Sequence, residues 1–119
     1  MLLLGIDVGT SSIKVSVINA ADTKLIASAQ FPETEATIIS QHPGWAEQDP
    51  ESWWHYTCRA MQKLNASGNF DPFDIAAVGI AYQMHGLVIV DKNKKALRPS
   101  IIWCDSRAVE TGNKAFEAI

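Results

Sequence analysis

The N-terminal segment carries residue types that can bind phosphate and a divalent cation. An apolar run over residues 1–6 ends in Asp7, and the small residues Gly9, Thr10 and Ser11 follow at once. Gly9 permits positive φ and close backbone approach, and consecutive turn amides form a concave anion site to which the hydroxyl groups add donors. A carboxylate at the end of a buried strand can hold hydrated Mg²⁺ beside phosphates. The alternative is an ordinary hairpin in which Asp7 and Gly9 are turn residues only.

Three strands are predicted to position this turn: Leu2–Asp7, Ile13–Asn19 and Lys24–Phe31. The short turns between them indicate an antiparallel meander. The first strand is almost wholly apolar, which is typical of a central strand covered on both faces, whereas the second alternates apolar and polar residues. Lys14, in the second strand, is either a point charge near a bound phosphate or a solvated strand lysine.

A helix and a further strand follow an aperiodic stretch, residues 32–48. Asp49 is predicted as the N-cap and Pro50 as the first helical position, and the helix is expected to end near residue 67. The strand Asp74–Tyr82 comes next, and a strand–helix–strand crossover places it parallel to the first strand. Five positions suit one buried helix face at helical spacing: Trp53, Thr57, Ala60 or Met61, and Leu64. The adjacent pair Trp53 and Trp54, together with Met61, is expected to pack in the core.

The C-terminal part is predicted to hold three short elements. Leu87–Asp91 and Ala96–Leu97 suit a small hairpin around a lysine-rich turn, and residues 101–103 suit a short extended segment. A last helix is expected to begin at Asp105 or Ser106, and Asp105 is suited to be its N-cap. The apolar face of that helix is expected to contain Val109, Phe116 and Ile119.

Bulk composition narrows the class of protein. The chain has 119 residues, of which 47% are hydrophobic and 19% charged, which suits one folded domain. A net charge of −3 argues against a nucleic-acid partner. The apolar N-terminal run is too short for a membrane span and has no basic leader, so neither a signal peptide nor a membrane partner is expected. Cys58 and Cys104 fit neither a metal site nor a disulfide framework, which favours a reducing compartment, the cytoplasm.

The predicted element order, β-β-β-α-β, indicates an α/β fold with a mixed sheet: an antiparallel three-strand start, then a helix and a parallel strand. With a phosphate-type turn between the first two strands, this order is typical of half of an actin-like ATPase (ribonuclease H-like) domain. The sequence contains neither a glycine-rich turn with Gly-Lys-Ser/Thr nor Gly-x-Gly-x-x-Gly. A P-loop protein and a Rossmann dinucleotide site are therefore not expected.

Four segments, in order and spacing, together resemble the FGGY carbohydrate kinases. Residues 5–11 (GIDVGTS) look like the N-terminal phosphate loop of that family, and residues 43–54 (PGWAEQDPESWW) are similar to its loop-to-helix entry. Residues 83–86 (QMHG) resemble the xylulokinase branch in particular. Residues 98–107 (RPSIIWCDSR) are similar to the stretch in which these kinases carry W-x-D-x-R. The resemblance spans essentially the whole chain.

The resemblance implies two actin-like domains with a cleft between them, and transfer of the γ-phosphoryl group of ATP to a sugar hydroxyl with Mg²⁺. It implies that residues 1–119 are the N-terminal part of the first domain, without the C-terminal ATP-binding domain, and that the catalytic base lies beyond residue 119. The implied reaction converts D-xylulose, a ketopentose, to D-xylulose 5-phosphate. Alternatives are another FGGY kinase acting on gluconate, ribulose or a related polyol, or a non-catalytic sugar- or phosphate-binding domain. Actin-like filament assembly would share only the fold.

The chain by itself is expected to have no kinase turnover. Its sheet would keep an unpaired edge, which permits edge-to-edge association such as a homodimer.

The resemblance also distributes roles among the candidate residues. Asp7 is implied at the metal, and phosphate contacts fall to Gly9, Thr10, Ser11 and Lys14. Sugar contacts fall to Gln83, Met84, His85, Trp103 and Asp105. From the residues alone, other roles stay open. His85 suits a structural histidine, Trp103 suits core packing, and Asp105 suits an N-cap or a partner for Arg107.

Overall fold

The computed structural model describes residues 1–118 and divides them into two compact units. The first, here the sheet unit, contains Met1–Ala36 and Glu51–Gln83; the second, here the loop unit, contains Thr37–Pro50 and the chain from Met84 onward. The elements in chain order are β1 (Leu2–Val8), β2 (Ile13–Asn19), β3 (Leu25–Phe31), β4 (Glu47–Gln48), α1 (Pro50–Ala66), a 3₁₀ turn (Pro72–Asp74), β5 (Ile75–Tyr82), β6 (Ser100–Ile101) and α2 (Val109–Glu117).

The sheet unit is built on a four-stranded sheet of order β3-β2-β1-β5. β2 is antiparallel to both β1 and β3, and β5 is parallel to β1. α1 lies between β3 and β5 in the chain and makes the crossover that a parallel pair requires. The predicted mixed sheet, with its antiparallel start and parallel fourth strand, is confirmed.

The bounds of β5 and β1 differ from the predicted ones by one residue each. β5 begins at Ile75 because Pro72 starts a 3₁₀ turn, and the Asp71 carboxylate accepts the Phe73 N–H at 2.9 Å. β1 runs one residue past Asp7, so that Val8 pairs with Ile13 of β2. The predicted bounds of β2 are confirmed.

The core of the sheet unit lies between α1 and one face of the sheet. The alternation predicted for β2 is confirmed, since Ile13, Val15 and Val17 are all buried while Lys14 is exposed. Leu4 of β1 is buried in the same core. Residues 5 and 7 of β1 are exposed, so within residues 1–118 the expectation that this strand is covered on both faces is wrong.

The helix face predicted for α1 is confirmed at Ala60 and Leu64, which are buried, whereas Trp54 is 69% exposed. The core position predicted for Trp54 is therefore wrong. At 3.6 residues per turn, Trp53 lies about 20° from Leu64 around the helix axis, and Trp54 lies about 80° away from it on the solvent side. Within residues 1–118, neither α1 nor α2 combines the length and the apolar character needed to cross a bilayer.

The loop unit is built on a small antiparallel pair, in which Glu47 and Gln48 of β4 face Ile101 and Ser100 of β6. Isolated bridges extend this pair on both sides, from Ile39 to Glu47 and from Leu87 to Ile101. The hairpin expected around the lysine-rich turn is present as a single bridge between Val90 and Ala96.

The last helix begins later than predicted. α2 starts at Val109 with Ala108 at its N-cap and no side-chain cap, so the N-cap role predicted for Asp105 is wrong. The Asp105 carboxylate is already occupied by hydrogen bonds from Ala46 and Arg107. Val109 and Phe116 are exposed in the described chain, and Ile119 lies outside the described residues.

Candidate functional site

The turn between β1 and β2 is shaped by close backbone approach. At Gly9 a β-carbon would lie 2.9 Å from the carbonyl oxygen of Ser12, a distance that side chains do not tolerate. Gly9 is absent from the positive-φ glycines of the described chain, so close approach, rather than a left-handed φ, is what requires glycine here. The Ser11 carbonyl accepts the Ala36 N–H at 2.7 Å, which fastens the turn to the segment after β3.

Gln83 meets this turn within the sheet unit. The Thr10 hydroxyl donates to Gln83 Oε1 at 3.2 Å, and the Gln83 N–H donates to the Val8 carbonyl at 3.1 Å. These bonds join the end of β5 to the turn after β1, as expected for two parallel strands whose carboxyl ends share one edge. The sequence assigned Thr10 to phosphate and Gln83 to sugar; the fold brings the two side chains into contact.

Asp7 and Lys14 line an open groove on the face of the sheet opposite the buried residues of β2. They are register partners across β1 and β2, and the groove has a volume of about 580 Å³. Gly5 and Gly79 are among its lining residues, and the absence of a side chain there lets a bound group approach the backbone closely. The remaining lining residues are Ile6, Ser16, Ile80 and Ala81.

Among the described residues there is no cluster of three or more His, Cys, Asp or Glu side chains that could hold a metal ion. A lone carboxylate such as Asp7 suits Mg²⁺, because this ion keeps several waters and takes further ligands from phosphate oxygens.

Met84 and His85 begin the second segment of the loop unit, and both are exposed. His85 has φ 63°, in the left-handed region, where a non-glycine residue is strained. Gly86 follows, and Leu87 then exchanges hydrogen bonds with Ile101: the Leu87 N–H donates at 2.8 Å and the Ile101 N–H at 3.2 Å. A polar side chain on a strained and exposed turn is typical of binding sites.

Trp103 is 60% exposed, so the core-packing alternative does not hold within the described residues. It follows Ile102, which is buried and whose N–H donates to the Ala46 carbonyl at 3.1 Å. The backbone on one side of the indole is therefore anchored, and most of the indole is exposed.

Asp105 lies in a dense ion-pair cluster, and its side chain is only 3% exposed. It accepts the Ala46 N–H at 2.7 Å and the Arg107 N–H at 2.9 Å. The Arg107 guanidinium adds a fork of bonds to both carboxylate oxygens, at 2.7 to 3.0 Å. Of the roles that the sequence left open for Asp105, pairing with Arg107 is the one observed.

Arg107 also reaches a second carboxylate. It donates to Glu47 Oε1 at 2.7 Å, and Arg98 binds the same oxygen of Glu47. The Arg107 guanidinium stacks on the Trp45 ring, with 3.8 Å from Cζ to the ring centroid.

These contacts set the protonation state of Asp105. The hydrogen bonds from the Arg107 side chain hold the pKa of Asp105 well below its usual range; burial opposes this shift, and the backbone N–H groups of Ala46 and Arg107 reinforce it. The hydrogen bond to Asp105 in turn raises the pKa of Arg107. Asp105 stays ionised at neutral pH, but its lowered pKa makes it a weak proton acceptor, and hydrogen bonds already occupy both of its oxygens. It is therefore poorly suited to act as a general base.

Sequence reasoning did not single out Glu47, Arg98 or Trp45 as partners in this cluster. Glu47 and Arg107 are 60 residues apart, and local periodicity carries no information about contacts over such a separation. The sequence offers only an indirect indication of these contacts. The segments around Trp45 and Arg107 both resemble motifs of one family, which suggests that they lie near the same site.

Comparison with known proteins places these features in one family. The model of the FGGY family of carbohydrate kinases, N-terminal domain, matches residues 2–118. A xylulose kinase of Escherichia coli (strain K12) is 39% identical over 109 residues, and one of Klebsiella pneumoniae is 41% identical over 110 residues. Each alignment covers 92% of this chain and 21% of the relative, so the chain spans about a fifth of the length of these curated relatives.

A solved structure agrees with these relatives. The crystal structure of a xylulose kinase from Brucella ovis superposes with a TM-score of 0.83 at 35% identity. The superposition covers 100% of this chain and 25% of that one.

Proposed function

Because the chain belongs to the FGGY family of carbohydrate kinases, we propose that it is the N-terminal part of an enzyme that phosphorylates D-xylulose to D-xylulose 5-phosphate with ATP. The observation that carries this proposal is the match over residues 2–118, together with relatives that are xylulose kinases. The share of those relatives that the chain spans, 21%, supports a contribution to the site rather than the whole of it.

The β1–β2 turn is the proposed phosphate side of the site. Gly9, Thr10 and Ser11 offer backbone amides and hydroxyl groups, and Lys14 offers a positive charge in the groove that also contains Asp7. Mg²⁺, when bound beside the phosphates, neutralises charge that develops during transfer. Asp7 is the proposed ligand, through water, because it is a lone carboxylate at an open groove.

The segment after β5 is the proposed sugar side. An imidazole can bond a sugar hydroxyl through either nitrogen, which fits His85 on its exposed turn. The thioether of Met84 and the exposed indole of Trp103 suit the carbon face of a sugar. Gln83 is a further candidate for a polar contact, beside its bond to Thr10.

Two finer points belong to the same proposal. A cytoplasmic location is supported by Cys58 and Cys104, which are both free thiols. A homodimer is supported by β5, which pairs only with β1 among the described residues and so keeps one edge open.

The test is performed on the natural gene product that contains this segment. Its intact mass is measured first, and then ADP formation is followed with D-xylulose, D-ribulose, gluconate or glycerol as acceptor. We expect a mass several times 13.0 kDa and the highest kcat/KM with D-xylulose. A higher kcat/KM with another acceptor would keep the kinase and change its sugar. A mass near 13.0 kDa, with sugar binding but no ADP, would favour the non-catalytic binding domain.

A further inference from the structure

The loop unit contains two acidic side chains that are buried almost completely. The side chain of Glu47 is 6% exposed and that of Asp105 is 3% exposed. Buried carboxylates are costly unless they are paired, and removing one partner leaves an uncompensated charge. Both are paired with the same guanidinium, that of Arg107, which makes Arg107 the link between two chain segments.

The segments that Arg107 links are also tied to the proposed sugar side. Glu47 lies in β4, which pairs with β6, and Ile101 of β6 exchanges hydrogen bonds with Leu87. Leu87 is the second residue after His85. On the other side, Ile102 is bonded through its N–H to the Ala46 carbonyl, directly before Trp103.

The turn at His85 needs such support from outside. A left-handed φ of 63° at a non-glycine residue persists only where the surroundings hold it in place. Gly86 packs against β6, since a β-carbon at this position would lie 3.5 Å from the carbonyl oxygen of Ile101. Any displacement of β6 would therefore reach the His85 turn through backbone contacts.

We propose that Arg107 is a positioning residue: by binding Glu47 and Asp105 together it fixes β4 and β6, and through them the His85 turn and the backbone of Trp103. The geometry is specific to arginine. The planar guanidinium donates a fork of hydrogen bonds to Asp105 and a further N–H to Glu47, and its flat face stacks on the Trp45 ring. Lysine keeps the charge and loses the fork. The kinetic consequence rests on the proposed function.

The kinetic test uses Arg107→Lys in the natural gene product. Small displacements of binding groups cost roughly tenfold to a hundredfold in rate or affinity. We expect the KM for D-xylulose to rise by about tenfold, with the KM for ATP and kcat within about twofold. The matched control is Arg59→Lys, an exposed arginine of α1 whose hydrogen bond goes to Gln62. An Arg107→Lys enzyme that loses thermal stability but keeps the KM for D-xylulose would overturn the inference.

A second readout does not depend on activity. Hydrogen exchange by mass spectrometry should show faster exchange in peptides containing the Leu87 and Ile101 amides, with β1 and β2 unchanged. Glu47→Gln, which keeps the shape and removes the charge, should produce the same local pattern if Arg107→Lys fails to fold. Unchanged exchange at both amides would sink the inference. If the wild-type protein phosphorylates no sugar, only the proposed function is contradicted. The hydrogen-exchange rates of the Leu87 and Ile101 amides would still test the positioning role of Arg107.

Discussion

At the scale of single residues, the charged side chains of the loop unit form structural ion pairs, although their sequence motif suggests roles in substrate binding. Asp105 was a candidate for a sugar contact and for a helix cap. The cap role is wrong, and the oxygens of Asp105 are bonded to Ala46 and Arg107 within a nearly inaccessible side chain. The residue type of Asp105 and its place in a motif therefore indicate that the position matters, but they do not predict which groups it contacts.

The pH dependence of stability follows from the depressed pKa of Asp105. A carboxyl group whose folded pKa lies below its unfolded value of about 3.9 stabilises the fold fully above that value. This stabilisation is lost as the pH falls below about 4 towards the folded pKa. We expect wild-type protein to lose unfolding free energy between pH 5 and pH 2 more steeply than Asp105→Asn, as measured by urea unfolding at each pH.

The comparison needs a control because Glu33, paired with Lys63 at the surface, also has a lowered pKa. Glu33→Gln removes that exposed pair, and exposed pairs contribute little to stability. Its stability curve against pH should follow the wild-type curve closely. Parallel curves for wild type and Asp105→Asn would show that Asp105 does not titrate as its contacts require.

Gly44 is the second residue-scale test. It has φ 78°, and an added β-carbon would lie 2.4 Å from Ser106 Oγ, which donates to the Gly44 carbonyl at 3.1 Å. Gly44→Ala combines a left-handed penalty of about 1–2 kcal/mol with loss of that hydrogen bond, about 1 kcal/mol. We expect a loss of about 2–3 kcal/mol in the free energy of unfolding.

Gly68→Ala is the matched control for Gly44→Ala. Gly68 has φ 66° and no atom within 4 Å of the added carbon, so it reports the backbone penalty alone. Equal losses in the two variants would mean that the contact with Ser106 contributes nothing.

At the scale of elements, α1 stabilises the sheet unit through a narrow face. Leu64 is fully buried in the core, whereas Trp54 projects into solvent despite its size. Leu64→Ala should lower the free energy of unfolding by about 2–5 kcal/mol through lost burial and a residual cavity. Trp54→Ala should change it by less than about 0.5 kcal/mol. Chemical denaturation of both variants checks this, and a larger loss for Trp54→Ala would contradict the assigned helix face.

α2 offers a test of opposite sign. Gly112 lies inside this helix, and an added β-carbon would meet no atom within 4 Å. Alanine is favoured over glycine in a helix interior by about 1 kcal/mol. Gly112→Ala should therefore raise the helical signal near 222 nm and the stability of this region towards proteolysis. A destabilised variant would indicate that the space around Gly112 is filled in the natural gene product.

The elements that the sequence predicted well are those governed by local patterns. β2 matches its predicted bounds because alternation and flanking turns define it. α1 matches because Pro50 and a helical apolar period define it. The start of α2 was wrong because its expected cap, Asp105, bonds with Ala46, 59 residues away. The core position predicted for Trp54 is wrong, since its side chain is 69% exposed, and residue type alone does not determine burial.

At the scale of the whole molecule, topology was more predictable than side-chain partners. The crossover rule placed β5 parallel to β1, and this in turn placed Gln83 beside the β1–β2 turn. The cluster of Glu47, Arg98 and Arg107 could not be predicted, since its members meet only after the loop unit folds. The family resemblance identifies the segments expected to form the site, and the structure shows which of their side chains are in contact.

The last prediction concerns what the 119-residue chain can do by itself. Transfer of a phosphoryl group to a sugar hydroxyl needs a base that orients the hydroxyl. Asp105 is nearly inaccessible and its oxygens are occupied by hydrogen bonds, and Asp7 is the proposed magnesium ligand. The chain spans 21% of a xylulose kinase relative, which leaves ample sequence there for a base and a nucleotide site. We expect no ADP formation dependent on D-xylulose from this chain in a coupled assay, with the natural gene product assayed in parallel as the positive control. Turnover by the 119-residue chain would mean that one of its own carboxylates serves as the base, and Asp7→Asn would then be the first variant to examine.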